Sequence, residues 1–401
     1  MSGPDVAVIS HLYPAPGHER HLFVHEQVCA LRDLGVRVQV VSPTAMTFGM
    51  TALHPRLRRR RATPQRAVRD GIVVEYPRVP VLPRRVAFDR AGDLYYATLR
   101  RLLPRLREEG VDLLHAHQAM PDGAATRRLA AALGVPYVVT VHGVDVFQHL
   151  PAGGRIAART EETLAAADAV VAVSSKVAAR LQHIVAPERL SVNLNGVVGD
   201  LEPAPAAVYE AGRQVLLTVG YLIKRKDHLV VLEALALLRD RGVRPVWAVV
   251  GDGPLRAQLE SRAAALGLAD TVDFLGRLPH DRVLGLMARA DAFVLPSRDE
   301  AFGLVYTEAM AQGTPVVGCR DEGIEDFVED GVSGILVDPG DAVELADRLQ
   351  ELLTDDAGLR RVGAAGRRAV EQLTWERNAV RQLEIYRRLV RRDHRDVEEH
   401  H

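Results

Sequence analysis

Two kinds of pattern alternate along the chain. Short apolar runs rich in β-branched residues, "DVAVIS" (5–10), "VRVQVVS" (36–42), "VDLLHAH" (111–117), "PYVVTVHG" (136–143) and "DAVVAVS" (168–174), are separated by stretches over 19–35, 122–133 and 155–167 whose apolar positions recur at the helical period. Continuous apolar strands divided by amphipathic helices predict a parallel sheet covered on both faces. The segment 200–214, "DLEPAPAAVYEAGRQ", breaks the pattern with Pro and Ala and reads as a linker. The alternation then restarts. Strands are predicted at 215–220, 245–253, 272–276, 291–297 and 314–318, with helices over 226–241, 254–267, 281–289 and 304–312. The expected architecture is α/β, with two tandem doubly wound Rossmann-like domains over 1–199 and 215–372. An amphipathic helix within 373–401 is expected to cross back onto the first domain. Ligands of such sheets bind at the carboxyl ends of the strands, which directs the search to the cleft that two such domains would face.

The chain's 401 residues, 47% of them hydrophobic, can build two cores of ordinary size. The formal net charge of −1 gives no reason to expect a polyanionic partner, but the charge is unevenly spread. Residues 55–107 hold 15 Arg and Lys against 4 Asp and Glu. Two cysteines, Cys29 and Cys319, are too few for a disulfide scaffold or a cysteine zinc site, and predict a reducing, cytoplasmic setting. "MSGPDVAVIS" lacks the basic start and long apolar core of a signal peptide, and no apolar run reaches the ~18 residues of a membrane span.

The candidate chemistry concentrates in "SRDEAFGLVYTEAMAQGTPVV" (297–317). A strand ending at Pro296 leads into a loop and then a helix closed by Gly313. The N–H groups of Phe302, Gly303 and Leu304 stand at that helix's N-terminus, a favourable place for an anion, and Gly303 allows close backbone approach. Glu300 precedes the helix and Glu308 lies just over a turn inside it. Two carboxylates flanking an anion site suit a ligand with hydroxyls at both ends and phosphate between, such as a nucleotide-sugar. Glycines in "VVGDGP", Gly251 and Gly253, read as backbone hinges near the ligand, and Asp252 as a turn former or a contact. His115 and His117 have metal-pair spacing without a third ligand in sight, and His117 reads better as a residue near the site. No Asp-x-Asp pair is placed to hold a cation, so no cofactor and no metal are expected.

Glu-x7-Glu in "EAFGLVYTE" followed by "AMAQGTPVV" resembles the signature of the retaining GT-B glycosyltransferases of family 4. The resemblance extends over most of the chain through "FVHEQVCAL", "HAHQAMPDGAATRRLA", "VPYVVTVHGVDV", "LNGV", "VVGDGPLRAQLE" and "DFLGRLPHDRVLGLMARADAFVLPS". It implies a hexosyltransferase that uses a UDP- or GDP-sugar. Glu300 would contact the donor sugar and Glu308 the ribose. Lys226 and the 302–304 amides would hold the diphosphate, and His142 would face the sugar. In the family an arginine follows the glycine matching Gly220; Tyr221 stands there instead, and Arg225 or Lys224 would supply the charge. The first loop of the family carries adjacent glycines, whereas this chain has Gly17 alone. "FVHEQ" and "PDG" look most like bacterial surface-polysaccharide enzymes, which implies a glycan or lipid-linked acceptor; a small aminocyclitol is the alternative.

"RLRRRR" (56–61) lacks interleaved aromatics and a nucleic-acid motif. Two readings stay open for Arg56, Arg58, Arg59, Arg60 and Arg61: a solvated loop, or contact with anionic lipid head groups at the inner face of the membrane. A nucleotide-sugar epimerase on the same fold and a non-catalytic ligand-binding regulator are rival functions. A dinucleotide oxidoreductase would need G-x-G-x-x-G after the first strand, which "VISHLYPAPGHER" lacks.

Overall fold

A computed structural model describes residues 3–16, 22–46, 63–81, 87–197, 209 and 212–398; Gly17, the 56–61 arginine run and most of the 200–214 linker lie outside them. The chain divides into two compact units, one of residues 1–196 with 375–401 and one of residues 197–374.

The first unit carries strands β1 (Asp5–Ile9), β2 (Arg37–Val41), β3 (Thr44–Met46), β4 (Arg66–Arg69), β5 (Ile72–Glu75), β6 (Arg78–Pro80), β7 (Leu113–His117), β8 (Tyr137–Val141), β9 (Ala169–Ala172) and β10 (Leu190–Val192). Eight form one sheet in the order β10-β9-β8-β7-β1-β2-β5-β4, and β3 pairs with β6 separately. All pairings are parallel except β4 with β5. The strand order reverses between β1 and β7, whose register sets Val6 beside Leu113. The strands β7, β8 and β9 are buried at every position, as a sheet covered on both faces requires.

The helix Trp375–Glu398 belongs to this first unit by its packing. Ala379, Leu383, Tyr386 and Leu389 fall on one face at helical spacing and join Val24, Val28 and Leu31 of the helix Leu22–Asp33 in one core. Each valine and leucine among them contributes about 1.5–3 kcal/mol when fully buried. Asn378 fastens the helix start: its amide donates to the Leu194 carbonyl at 2.8 Å and its side-chain oxygen accepts from Gln27 at 2.6 Å.

The second unit holds β11 (Val215–Val219), β12 (Val246–Val250), β13 (Val272–Gly276), β14 (Ala292–Val294), β15 (Val316–Cys319) and β16 (Ile335–Val337). They form one parallel sheet in the order β13-β12-β11-β14-β15-β16. Counted within the unit, that is 3-2-1-4-5-6, the doubly wound order whose switch point lies between strands 1 and 4. The crevice for a ligand therefore opens at the carboxyl ends of β11 and β14. Trp247, fully buried near the start of β12, donates to Thr218 of β11 at 2.8 Å.

Several elements differ from their sequence-based bounds. The helix expected over 122–133 starts at Ala124, because residues 119–123 form a separate turn whose Asp122 carboxylate is bound by His11. The sequence pattern assigns no elements to 43–81 or 320–372. The structure places β3 to β6 and β16 there, with helices Ala342–Thr354 and Asp356–Val370.

Candidate functional site

In the second unit, the loops that follow β11 and β14 meet at the switch point. The first carries Gly220, Tyr221, Arg225 and Lys226; the second carries Ser297 to Gly303. Close packing of backbone on backbone makes room for this arrangement. Gly251, after β12, has φ of 139°, and a Cβ there would lie 1.8 Å from the Gly220 carbonyl oxygen. Only glycine fits that approach. Asp252 accepts from the Gly253 N–H at 2.8 Å, so its side chain shapes the turn.

Glu300 is the electrostatic centre of this half. Lys226 donates to its Oε2, Ser297 Oγ donates to the same oxygen at 3.1 Å, and Arg225 Nη1 stands 3.8 Å away. The Lys226 and Glu300 side chains are both largely buried. Burial pushes the Glu300 carboxyl up, yet Lys226, with Arg225 and Ser297 behind it, outweighs burial and holds it below the usual carboxylate range. The sequence suggests separate duties for Glu300 and Lys226, and the structure joins them in one ion pair. Tyr221 is about half exposed, and Arg225 rather than a residue at 221 supplies the second cation beside Glu300.

Sequence reasoning missed the residue that holds this loop. The Glu322 carboxylate accepts from the Asp299 N–H at 3.1 Å and from the Glu300 N–H at 2.7 Å. The Gly323 N–H donates to the Glu300 carbonyl at 3.0 Å. Glu300 is thus gripped on both sides of its Cα by the segment after β15. Nothing in "CRDEGIED" signals a partner more than twenty residues earlier.

The helix Leu304–Ala311 begins on Gly303, whose φ of 88° and ψ of 58° are left-handed. A Cβ at Gly303 would lie 2.5 Å from Cδ2 of Tyr306, which is fully buried with its hydroxyl donating to the Leu295 carbonyl. The 302–304 backbone therefore leads directly into the helix N-terminus, with the orphan donors that an anion can satisfy. Further along the helix, Glu308 pairs with His280 Nε2 at 3.1 Å, and that hydrogen bond pushes the His280 imidazole up. His280 was not legible as a partner either.

The first unit holds a second cluster at the carboxyl ends of β1, β7 and β8. His142 Nε2 lies 2.9 Å from His117 Nδ1. His115 is bonded through both ring nitrogens, to the Tyr386 hydroxyl at 2.6 Å and to Thr140 Oγ1 at 2.8 Å, which removes it as a metal ligand. Burial pushes the His115 imidazole down to about 3. Across the β1/β7 switch, His11 Nδ1 meets the fully buried Asp122 carboxylate at 2.7 Å. Among the described residues, no three His, Cys, Asp or Glu side chains converge to hold a metal ion, and no helix is long and apolar enough to cross a membrane.

Residues 17–200 match the family model described as Glycosyltransferase Family 4, and residues 206–369 the one described as Glycosyl transferases group 1. The 2-deoxystreptamine glucosyltransferase of Streptomyces kanamyceticus is 30% identical over 377 residues, covering 84% of this chain and 90% of that protein. Among solved structures, the sucrose-phosphate synthase of Thermosynechococcus elongatus superposes with a TM-score of 0.78 at 23% identity, covering 96% of this chain and 99% of that one. HepE of Anabaena in complex with UDP-glucose gives 0.69 at 20% identity, over 95% and 99% of the two chains. The chain belongs to the family-4 glycosyltransferases and is a hexosyltransferase of the GT-B fold.

Proposed function

We propose that the enzyme moves a hexosyl unit from a UDP- or GDP-sugar to a hydroxyl of a glycan or lipid-linked acceptor, with retention at the anomeric carbon and without a metal ion. The observation that carries this reading is the Glu300–Lys226 pair beside the left-handed Gly303 at the start of the helix Leu304–Ala311. When the bond between the sugar C1 and the phosphate oxygen breaks, negative charge builds on the departing diphosphate. Lys226, Arg225 and the helix-start amides of Phe302, Gly303 and Leu304 are cations and dipoles suited to stabilise it. Glu300, kept ionised by those cations, suits the donor sugar's hydroxyls and the positive charge developing at C1. Glu308 suits the ribose hydroxyls, and the family resemblance assigns His142 a contact with the sugar. The acceptor oxygen bonds to C1, and its proton passes to the departing phosphate oxygen, so no protein base is needed. The UDP-glucose bound by the HepE structure supports a nucleotide-sugar donor.

A second reading for the acceptor is a small aminocyclitol. The Streptomyces kanamyceticus relative, named for 2-deoxystreptamine, favours it.

The test is nucleoside diphosphate release from UDP-, GDP-, ADP- and dTDP-sugars in EDTA, with wild type and Glu300→Gln, with and without 2-deoxystreptamine. One donor turned over by wild type alone, with product of unchanged anomeric configuration, supports the reading. Inverted product removes the retaining claim, and turnover lost in EDTA removes the metal-free claim. Conversion of the nucleotide-sugar without diphosphate release would indicate an epimerase instead.

A further inference from the structure

Three imidazoles gather along β7 and just past the end of β8, and their hydrogen bonds are unequal. His115 has partners on both nitrogens. His117 has one among the described residues: its Nδ1 lies 2.9 Å from His142 Nε2, while its buried Nε2 has no hydrogen-bond partner among them. The His117 and His142 ring centroids are 5.2 Å apart, and the ring planes differ by 8°. The centroid separation exceeds the N···N distance by little more than the two ring radii. The rings therefore lie end to end in nearly one plane, with the lone pair of one nitrogen pointing along the N–H of the other, rather than face to face.

A bond between two neutral imidazoles holds one proton, and its direction sets both tautomers. Burial, with His115 alongside, keeps the His117 imidazole well below the usual histidine range and hence neutral. If His142 donated from Nε2, His117 would carry its own proton on Nε2, as a buried N–H without an acceptor. If His117 donates from Nδ1, its Nε2 keeps only a lone pair. Protein interiors leave an unmet acceptor more readily than an unmet N–H.

We infer that His117 is a positioning residue for His142: it donates Nδ1–H to His142 Nε2 and so fixes His142 in the Nδ1–H tautomer. Nδ1 of His142 is then a donor, so any group that meets it, from the protein or from a ligand, must offer a lone pair, as a carbonyl, sugar hydroxyl or phosphate oxygen does. The contact to a donor sugar rests on the transferase reading above, whereas the tautomer does not.

The full-length, ligand-free protein labelled with 15N in its histidine rings tests this directly. Long-range proton–nitrogen spectra at pH 7.5, assigned with His142→Gln and His117→Asn, are expected to place the proton of both rings on Nδ1. A wild-type His142 protonated on Nε2 overturns the inference. His117→Asn keeps an N–H close to the Nδ1 position and should preserve the His142 tautomer. His117→Leu should release it to Nε2–H and lower kcat/KM for diphosphate release at least tenfold, with Asn restoring most of the loss. Equal tautomers and equal kcat/KM in the Asn and Leu variants would also overturn it. A tautomer that shifts as expected while donor turnover stays constant supports the positioning role and removes His142 from the catalytic set.

Discussion

Replacing Lys226 with methionine isolates what the ion pair does for the second unit. Methionine keeps most of the length and apolar stem, so the loss is the charge. The Lys226 and Glu300 side chains are 11% and 12% exposed, and removing one partner of a buried pair costs about 3–5 kcal/mol. Arg225, 3.8 Å away and more exposed, compensates in part, which places the expected loss at about 3 kcal/mol. The pH dependence carries the reasoning. The Glu300 carboxyl is depressed in the folded state, so its pairing stabilises the protein above the unfolded-state value, and that stability is lost as pH falls through the folded value. Without Lys226, burial dominates and the Glu300 carboxyl moves up, so the variant protonates it at milder acidity. The stability deficit is therefore full at pH 7 and shrinks toward pH 4. Urea unfolding followed by Trp247 fluorescence in a Trp375→Phe background reads the second unit, since these are the chain's two tryptophans. Lys226→Met/Glu300→Gln should recover part of the loss, because the stranded charge is gone. A deficit equal at pH 7 and pH 4, or a double variant no more stable than Lys226→Met, would refute the argument.

Glu322→Gln puts an NH2 group against one of the two N–H groups its carboxylate now accepts from. It should cost about 1–3 kcal/mol and lower kcat for diphosphate release more than it raises KM, measured by urea unfolding and steady-state kinetics. Gly303→Ala forces a Cβ to 2.5 Å from the Tyr306 ring at a φ of 88°, which should cost about 1–3 kcal/mol in unfolding experiments and abolish the donor-induced thermal shift. Glu308→Gln should let the His280 imidazole fall back toward its ordinary value in an NMR titration. The wild-type pairing is strongest while His280 is protonated and fades as pH rises through its raised value, so the variant's loss of donor affinity should be larger at pH 6 than at pH 8.

Element positions near the site were legible because strand and helix periods are local properties. The helix expected over 304–312 is Leu304–Ala311, and the strand expected over 272–276 is Val272–Gly276. The short strands between 44 and 80 were not legible. β4 reads "RAVR" with no buried position, and such a polar edge strand carries no apolar run to recognise. The glycines could be read as special positions, but the reason could not. Gly251 is required by the Gly220 carbonyl thirty-one residues earlier in the chain.

By itself the sequence determined the alternation of strands and helices, the restart after residue 214, and the kinds of residue brought to the strand ends: carboxylates, a lysine and histidines. These follow from side-chain period and local chemistry. The tertiary structure decided what those groups are to one another. Lys226 reaches Glu300 across 74 residues because β11 and β14 are neighbours in the sheet. Glu322 grips the Glu300 backbone, and His117 meets His142 along one plane. Which carboxylate stays ionised and where an imidazole holds its proton depend on burial and on partners distant in sequence, and those exist only once the chain has folded.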